Sequence, residues 1–241
     1  MEDTFAKYQR QISLQEIGLV GMKKIQNARV LLVGAGGLAC SSLLYLAACG
    51  VGNIGVIDFD TIEISNLHRQ VLYGHTDIGK LKALVAKEKL EVLHPNCNVK
   101  AYATQLISDN AYDIFQSYDI IIDACDNIET RYVIEETCLK CNIPWVFAAI
   151  NKFEAQLSVF NFTTPTQAAV QYSDVFPKNT LAEPILNCAE AGVLGILPGI
   201  VGSLQANEAL KIMAGFGTVL SNSILYYNAL HNTFYPIQIK P

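Results

Sequence analysis

RVLLVGAGGLACSSLLYLAACGVGNIGVIDFD, Arg29 to Asp60, is the stretch that decides the fold. Arg29–Gly34 is a short β-branched and leucine run ended by glycines, the sign of a buried strand entering a turn. Leu38–Cys49 reads as a helix by its length and its small and apolar residues, and Ile54–Phe59 as a second strand. Between strand and helix lies Gly34-Ala35-Gly36-Gly37-Leu38-Ala39, the context in which a G-x-G-x-x-G/A pattern carries meaning. Backbone N–H groups at such a helix start can hold a phosphate. The third glycine position serves close packing of helix on strand, so Ala39 is compatible with the turn. Asp58 ends the second strand, where a carboxylate can accept bonds from ribose hydroxyls. Up to this point a dinucleotide-dependent dehydrogenase has the same features.

The alternation continues outward. Lys80–Leu93 is an amphipathic helix closed by His94-Pro95, and Val99–Thr104, Asp119–Ala124 and Pro144–Ala149 are further strands, with a helix over Ile128–Cys141. This predicts an α/β fold, a Rossmann-like doubly wound and mostly parallel sheet. After Ile150 the rhythm changes: Ala155–Asn161 and Ser223–Asn228 are ordinary strands, giving an antiparallel C-terminal extension, and Leu197–Met213 is a helix with Pro198 in its first turn. Phe162–Ala189 is rich in Thr, Pro, Asn and Gln, a length of irregular chain that in a compact domain is usually a functional loop. A single domain over 1–241 is expected, with an N-terminal helical segment (1–28), a nucleotide-binding half (29–150) and a second half (151–241).

The totals narrow the function classes. Among 241 residues 51% are hydrophobic and 16% charged, which suits a globular protein with much surface buried. A formal charge of −5 with no Lys/Arg cluster makes nucleic acid a poor partner. No apolar run reaches about 18 uninterrupted residues, so no membrane span is expected, and MEDTFAKYQRQ is too polar for a signal peptide. Seven scattered cysteines fit reduced thiols in a cytoplasm.

What separates the candidate ligands is the chain after Asp58. A nicotinamide ring needs an apolar slot, whereas a triphosphate needs cations near its β and γ positions and usually a metal. Here Asn66, Arg69, Lys80 and Lys82 follow the ribose carboxylate closely. Taken with Tyr8-Gln9-Arg10-Gln11, Gly34–Ala39, Asp58–Gln70, Gly79–Lys82, Asp123-Ala124-Cys125-Asp126-Asn127, Asn187–Val193 and Pro198–Ala206, the chain resembles the ubiquitin-activating-enzyme-like adenylyltransferases, the ThiF/MoeB/HesA family.

That resemblance implies ATP-dependent adenylylation of the C-terminal Gly-Gly of a small ubiquitin-like sulfur-carrier protein. It implies Gly36 and Gly37 under the α-phosphate, Asp58 on the ribose, Asn66, Arg69 and Lys82 around the triphosphate, and Mg2+ on Asp126, with Gly34, Asp60 and Gln70 in the same pocket. It further implies a homodimer in which Arg10 reaches the partner's site, a crossover loop over about 162–189 that covers the carrier tail, and a covalent role for Cys188. Many family members carry two zinc-binding CxxC pairs; the matching places here read Ala169–Asp174 and Ile239-Lys240-Pro241, so no zinc site is expected.

Read from the residues alone, several of these have plainer alternatives. Lys82 fits the solvated face of an amphipathic helix together with Lys80, Lys87 and Lys89. Asn66 and Arg69 fit loop-pinning residues, Asp126 the N-cap of the next helix, Arg10 a surface ion pair, and Cys188 a small buried thiol. Cys138 and Cys141 have zinc-knuckle spacing but no second pair. The rival functions are a nicotinamide-dependent oxidoreductase and a non-catalytic carrier-binding scaffold.

Overall fold

The computed structural model describes residues 3–164, 168–178 and 192–239. Its eight-stranded sheet has the order β3-β2-β1-β4-β5-β6-β7-β8. The strands are β1 (Arg29–Val33), β2 (Asn53–Ile57), β3 (Asn98–Tyr102), β4 (Ile120–Asp123), β5 (Trp145–Asn151), β6 (Glu154–Phe160), β7 (Ser223–Asn228) and β8 (Thr233–Gln238). The first five in spatial order pair in parallel and the last three antiparallel, as expected from the change of rhythm after Ile150.

Both faces of the parallel part are buried, which is why its strands read as unbroken apolar runs. Val30 and Leu32 point into one core, shared with α3 (Gly37–Ala48), α4 (Lys82–Leu93) and α8 (Leu197–Ala214). Leu31 and Val33 point into the other, with α5 (Ser108–Phe115) and α6 (Ile128–Cys141), around Phe115, Trp145, Phe147 and Phe160. On the first face α3 and α8 lie backbone to backbone: a Cβ on Gly202 would stand 2.1 Å from the Leu38 carbonyl oxygen, and Ser42 Oγ donates to the Gly202 carbonyl at 2.8 Å.

The order β3-β2-β1-β4 places a topological switch between β1 and β4, whose C-terminal ends lie side by side. In such sheets ligands bind in the crevice at that point.

Several boundaries and elements differ from expectation. The helix predicted from Lys80 starts at Lys82, because Gly79 takes φ +85° and Leu81 is extended, bridging Thr61. The helical N-terminal segment resolves into a 3-10 turn (Asp3–Tyr8), α1 (Gln9–Ile12) and α2 (Gly18–Asn27). Helix α5 and strand β8 were not expected, and α7 (Tyr172–Val175) interrupts the segment expected to be irregular. Pro236 is tolerated in β8 because an edge strand needs no donor on its free side. Of the expected crossover region, 165–167 and 179–189 lie outside the described residues, and Cys188 with them. Among the described residues no helix is long and apolar enough to cross a membrane.

Candidate active site

Three glycines open α3, and each is glycine for a different reason. Gly34 leaves β1 at φ +99°, and a Cβ there would stand 2.5 Å from the Ala124 carbonyl oxygen, so the turn crosses directly over the end of β4. A Cβ on Gly37 would stand 3.0 Å from the Pro198 side chain on α8 and 3.3 Å from the Arg69 carbonyl oxygen. Gly36, the N-cap of α3, has an ordinary φ of −82°, and the nearest atom to a Cβ there is Gln70 Nε2 at 3.8 Å. Neither backbone strain nor packing within the chain calls for a glycine at that position. What it provides is open space above the free N–H groups of a helix N-terminus, the arrangement that admits an anion.

Of the residues expected to line this space, Asp58 and Gln70 lie against the glycine turn. Asp58 Oδ2 accepts from the Ala35 N–H at 2.7 Å and Oδ1 from the Asp60 N–H at 2.7 Å, so the carboxylate braces the glycine turn while each oxygen keeps lone-pair capacity. Burial pushes the Asp58 carboxyl above its ordinary range, against the Ala35 N–H and the Lys82 charge, which pull it back. Lys82 is only 7% exposed and its Nζ pairs with Asp60 Oδ2 at 2.8 Å. Its place on a solvated helix face is therefore corrected: it is a buried cation at the first residue of α4, whereas Lys87 pairs with Glu91 on the outer surface. Lys80 and Lys89 converge on Asp77 and brace the loop that leads into α4.

Asn66 is buried at the end of a 3-10 turn (Ile64–Asn66), its Oδ1 accepting from the Glu63 N–H at 3.2 Å. Arg69 Nη1 donates to the Ser65 carbonyl at 2.9 Å and lies 3.0 Å from His68 Nε2. Both side chains thus pin their own loop, whose Arg69 carbonyl oxygen lies close to Gly37. Gln70 is buried beside Gly36, and its Oε1 has no partner among the described residues. An orphaned buried oxygen is costly unless a ligand or water completes it.

Across the crevice, Asp126 is exposed in the turn that follows β4. It is not the N-cap of α6: that is Asn127, whose side chain accepts from the Thr130 N–H at 2.8 Å. Asp126 is left free to face solvent at the switch point. Arg10 is exposed on α1 and no hydrogen bond among the described residues joins it to this cluster. Cys138 lies fully buried on the core face of α6 and Cys141 half-buried at its end. Cys40 is buried in α3, while Cys49 and Cys125 are half-buried at the ends of α3 and β4.

Two residues that sequence reasoning missed hold the cluster together. Tyr73 Oη donates to the Ala35 carbonyl at 2.8 Å and approaches the Lys82 carbonyl at 3.4 Å, joining the glycine turn to α4. Arg131 pairs with the fully buried Asp123 at 3.1 Å. Burial raises the Asp123 carboxyl, opposed by the Arg131 charge and the Cys125 N–H. No local signal marks either; only the fact that Asp123 closes an apolar strand suggests that a cation lies nearby.

Comparison with known proteins identifies the family and the fold. A model of the ThiF family matches residues 8–241. The chain is 45% identical over 239 residues to a probable molybdopterin-synthase adenylyltransferase of Porphyra purpurea, covering 98% of this chain and 61% of that one. It is 43% identical over 235 residues to a sulfur carrier protein adenylyltransferase of Thermus thermophilus, covering 97% and 87%. It thus spans about six-tenths of the length of the Porphyra relative and most of the Thermus one. Escherichia coli MccB in its crystal structure with ATP superposes with a TM-score of 0.79 at 20% identity, covering 92% of this chain and 67% of that one, a likeness of fold. From the family match over nearly its whole length, the chain belongs to the ThiF family.

Proposed function

We propose that the protein is an ATP-dependent adenylyltransferase acting on the C-terminal Gly-Gly carboxylate of a small ubiquitin-like sulfur-carrier protein, giving an acyl adenylate and pyrophosphate. The observation that carries the reading is Gly36: a glycine that the chain's own conformation and packing do not require, at the N-terminus of α3, beside the orphaned Gln70 oxygen. The names of the Porphyra and Thermus relatives support the substrate class.

In this reading the N–H groups of Gly36 and Gly37 receive the α-phosphate and Asp58 the ribose, while Asn66, Arg69, Gln70 and Lys82 line the triphosphate path, with Lys82 exchanging Asp60 for phosphate oxygen. Asp126 would hold Mg2+, which neutralises phosphate charge when bound. The carrier carboxylate is already ionised at neutral pH, so it attacks the α-phosphorus without a general base and pyrophosphate leaves. The protein's part is positioning and charge neutralisation. The dinucleotide alternative lacks support, because the crevice offers the buried Lys82 and the half-buried Arg69 where a nicotinamide ring would need an apolar slot.

The finer expectations belong to the same proposal: a single domain with the carrier bound to its second half under residues 162–189, a homodimer with Arg10 acting on the partner's site, Cys188 as a thiol for the carrier, no zinc, and a cytoplasmic location. ATP–pyrophosphate exchange with a Gly-Gly-ended carrier tests the core of it. Exchange that depends on the carrier is the expected result. Carrier binding without exchange would leave a scaffold, and NADH binding without exchange would sink the proposal.

A further inference from the structure

The turn that carries Asp126 is held from behind by one buried guanidinium. Arg131, in the first turns of α6 with its side chain 11% exposed, donates from Nε to Asp123 Oδ2 at 3.1 Å and from Nη2 to the Cys125 carbonyl at 3.2 Å and the Ala148 carbonyl at 3.3 Å. Its Cζ lies 5.2 Å from the centre of the Phe147 ring. The other Asp123 oxygen accepts from the Cys125 N–H at 3.0 Å, so the backbone of Cys125 is fixed at both its N–H and its carbonyl.

The consequence falls on the next residue. A peptide group is planar, so fixing the Cys125 carbonyl fixes the plane that contains the Cα of Asp126. On the other side the Asn127 side chain is tied to the Thr130 N–H. Asp126 therefore has a pinned backbone and an exposed, unpinned carboxylate, the combination a metal- or phosphate-facing group needs. The Asp123–Arg131 pair is an expensive way to fill a core, since buried ion pairs are often replaceable by apolar residues without loss of stability. Its geometry is explained if the fork sets the turn.

We propose that Arg131 is a positioning residue for adenylyl transfer, acting through the Cys125 carbonyl to set the Asp126 carboxylate across from the glycine turn. This rests on the function proposed above, in which Asp126 faces Mg2+. Arg131→Lys keeps a charge for Asp123 but loses the planar fork that reaches three acceptors.

The test compares wild type with Arg131→Lys, and with an Asp123→Asn/Arg131→Gln double variant that removes the buried charges together should the lysine variant fold poorly. Hydrogen exchange should rise at least about tenfold in the peptide spanning Asp123–Thr130 and stay unchanged in the C-terminal half of α6. In ATP–pyrophosphate exchange, the Mg2+ concentration for half-maximal rate should rise about tenfold and kcat should fall, with the KM for the carrier unchanged. A loosened turn with unaltered Mg2+ dependence and kcat would reduce Arg131 to fold support and overturn the proposal, as would an unloosened turn. Wild-type protein that performs no exchange would instead overturn adenylyl transfer itself, and it is seen before any variant is compared.

Discussion

At the scale of single residues, the glycine turn separates what folding needs from what a ligand needs. Gly34→Ala places a side chain at φ +99° and 2.5 Å from a carbonyl oxygen, and should destabilise the protein by roughly 1–3 kcal/mol in thermal or denaturant unfolding. Gly36→Ala meets no such conflict and should cost about 1 kcal/mol or less, as a changed N-cap. It should nonetheless raise the KM for ATP about tenfold or more by filling the space over the helix N-terminus. Equal effects of the two on stability, or an unchanged ATP dependence in Gly36→Ala, would count against the phosphate cradle. Arg69→Ala should lower exchange by about tenfold or more with a change in stability within about 1 kcal/mol, because its contacts are local ones to Ser65 and His68. Unchanged turnover would remove Arg69 from the site.

At the scale of elements, α3 and α4 both start at the crevice and end beneath the N-terminal segment. Tyr8 packs over Gly50, where a Cβ would stand 2.8 Å from its ring, and Gln11 Nε2 donates to the Cys49 carbonyl at 3.2 Å, just past α3. Lys7 Nζ lies 2.8 Å from His94 Nδ1, at the end of α4. An ammonium only donates, so His94 must be neutral there with Nδ1 as acceptor. Burial and the Lys7 charge both push the His94 pKa below its ordinary 6.5. The contact is therefore intact at neutral pH and is lost as pH falls through that lowered value, when His94 gains a charge facing Lys7. Proteolysis within residues 3–12 should accelerate as pH falls from about 8 to about 5, and the acceleration should be absent in His94→Ala, whose segment is already loosened. A pH profile identical in the two proteins would show that His94 does not secure the segment.

At the scale of the whole molecule, the docking of that segment bears on Arg10. It follows Tyr8 at the far end of α3, a helix of 12 residues and so roughly 18 Å from the cradle at the helix start. An arginine side chain does not span that distance within one protomer, so the role proposed for Arg10 requires a second protomer. Mixing inactive Arg10→Ala and Asp126→Ala subunits should recover about a quarter of wild-type exchange, because half the dimers are mixed and each has one intact site. No recovery in verified mixed dimers would mean that the site is not shared.

The sequence by itself determined the repeating unit. Strand, glycine turn and helix from Arg29 to Ala48, the strands flanking it, and all of α6 were legible, because apolar runs and the φ demands of Gly34 are local properties. The family was legible too, in the ordered motifs from Tyr8 to Ala206, and a ThiF family model matches residues 8–241. Short α5, one-turn α7 and edge strand β8 were not: α5 and α7 are too short for their period to stand out, and the exposed β8 contains Pro236, which argues against a strand. Only the tertiary structure decided that Lys82 is buried against Asp60 rather than solvated, that Asn127 rather than Asp126 caps α6, and that Gly36 alone of the three glycines is unexplained by folding. It also brought Arg131 behind the Asp126 turn. Burial, orphaned polar atoms and the free space around a backbone arise from residues distant in the chain, so they exist only once the sheet and its helices have closed.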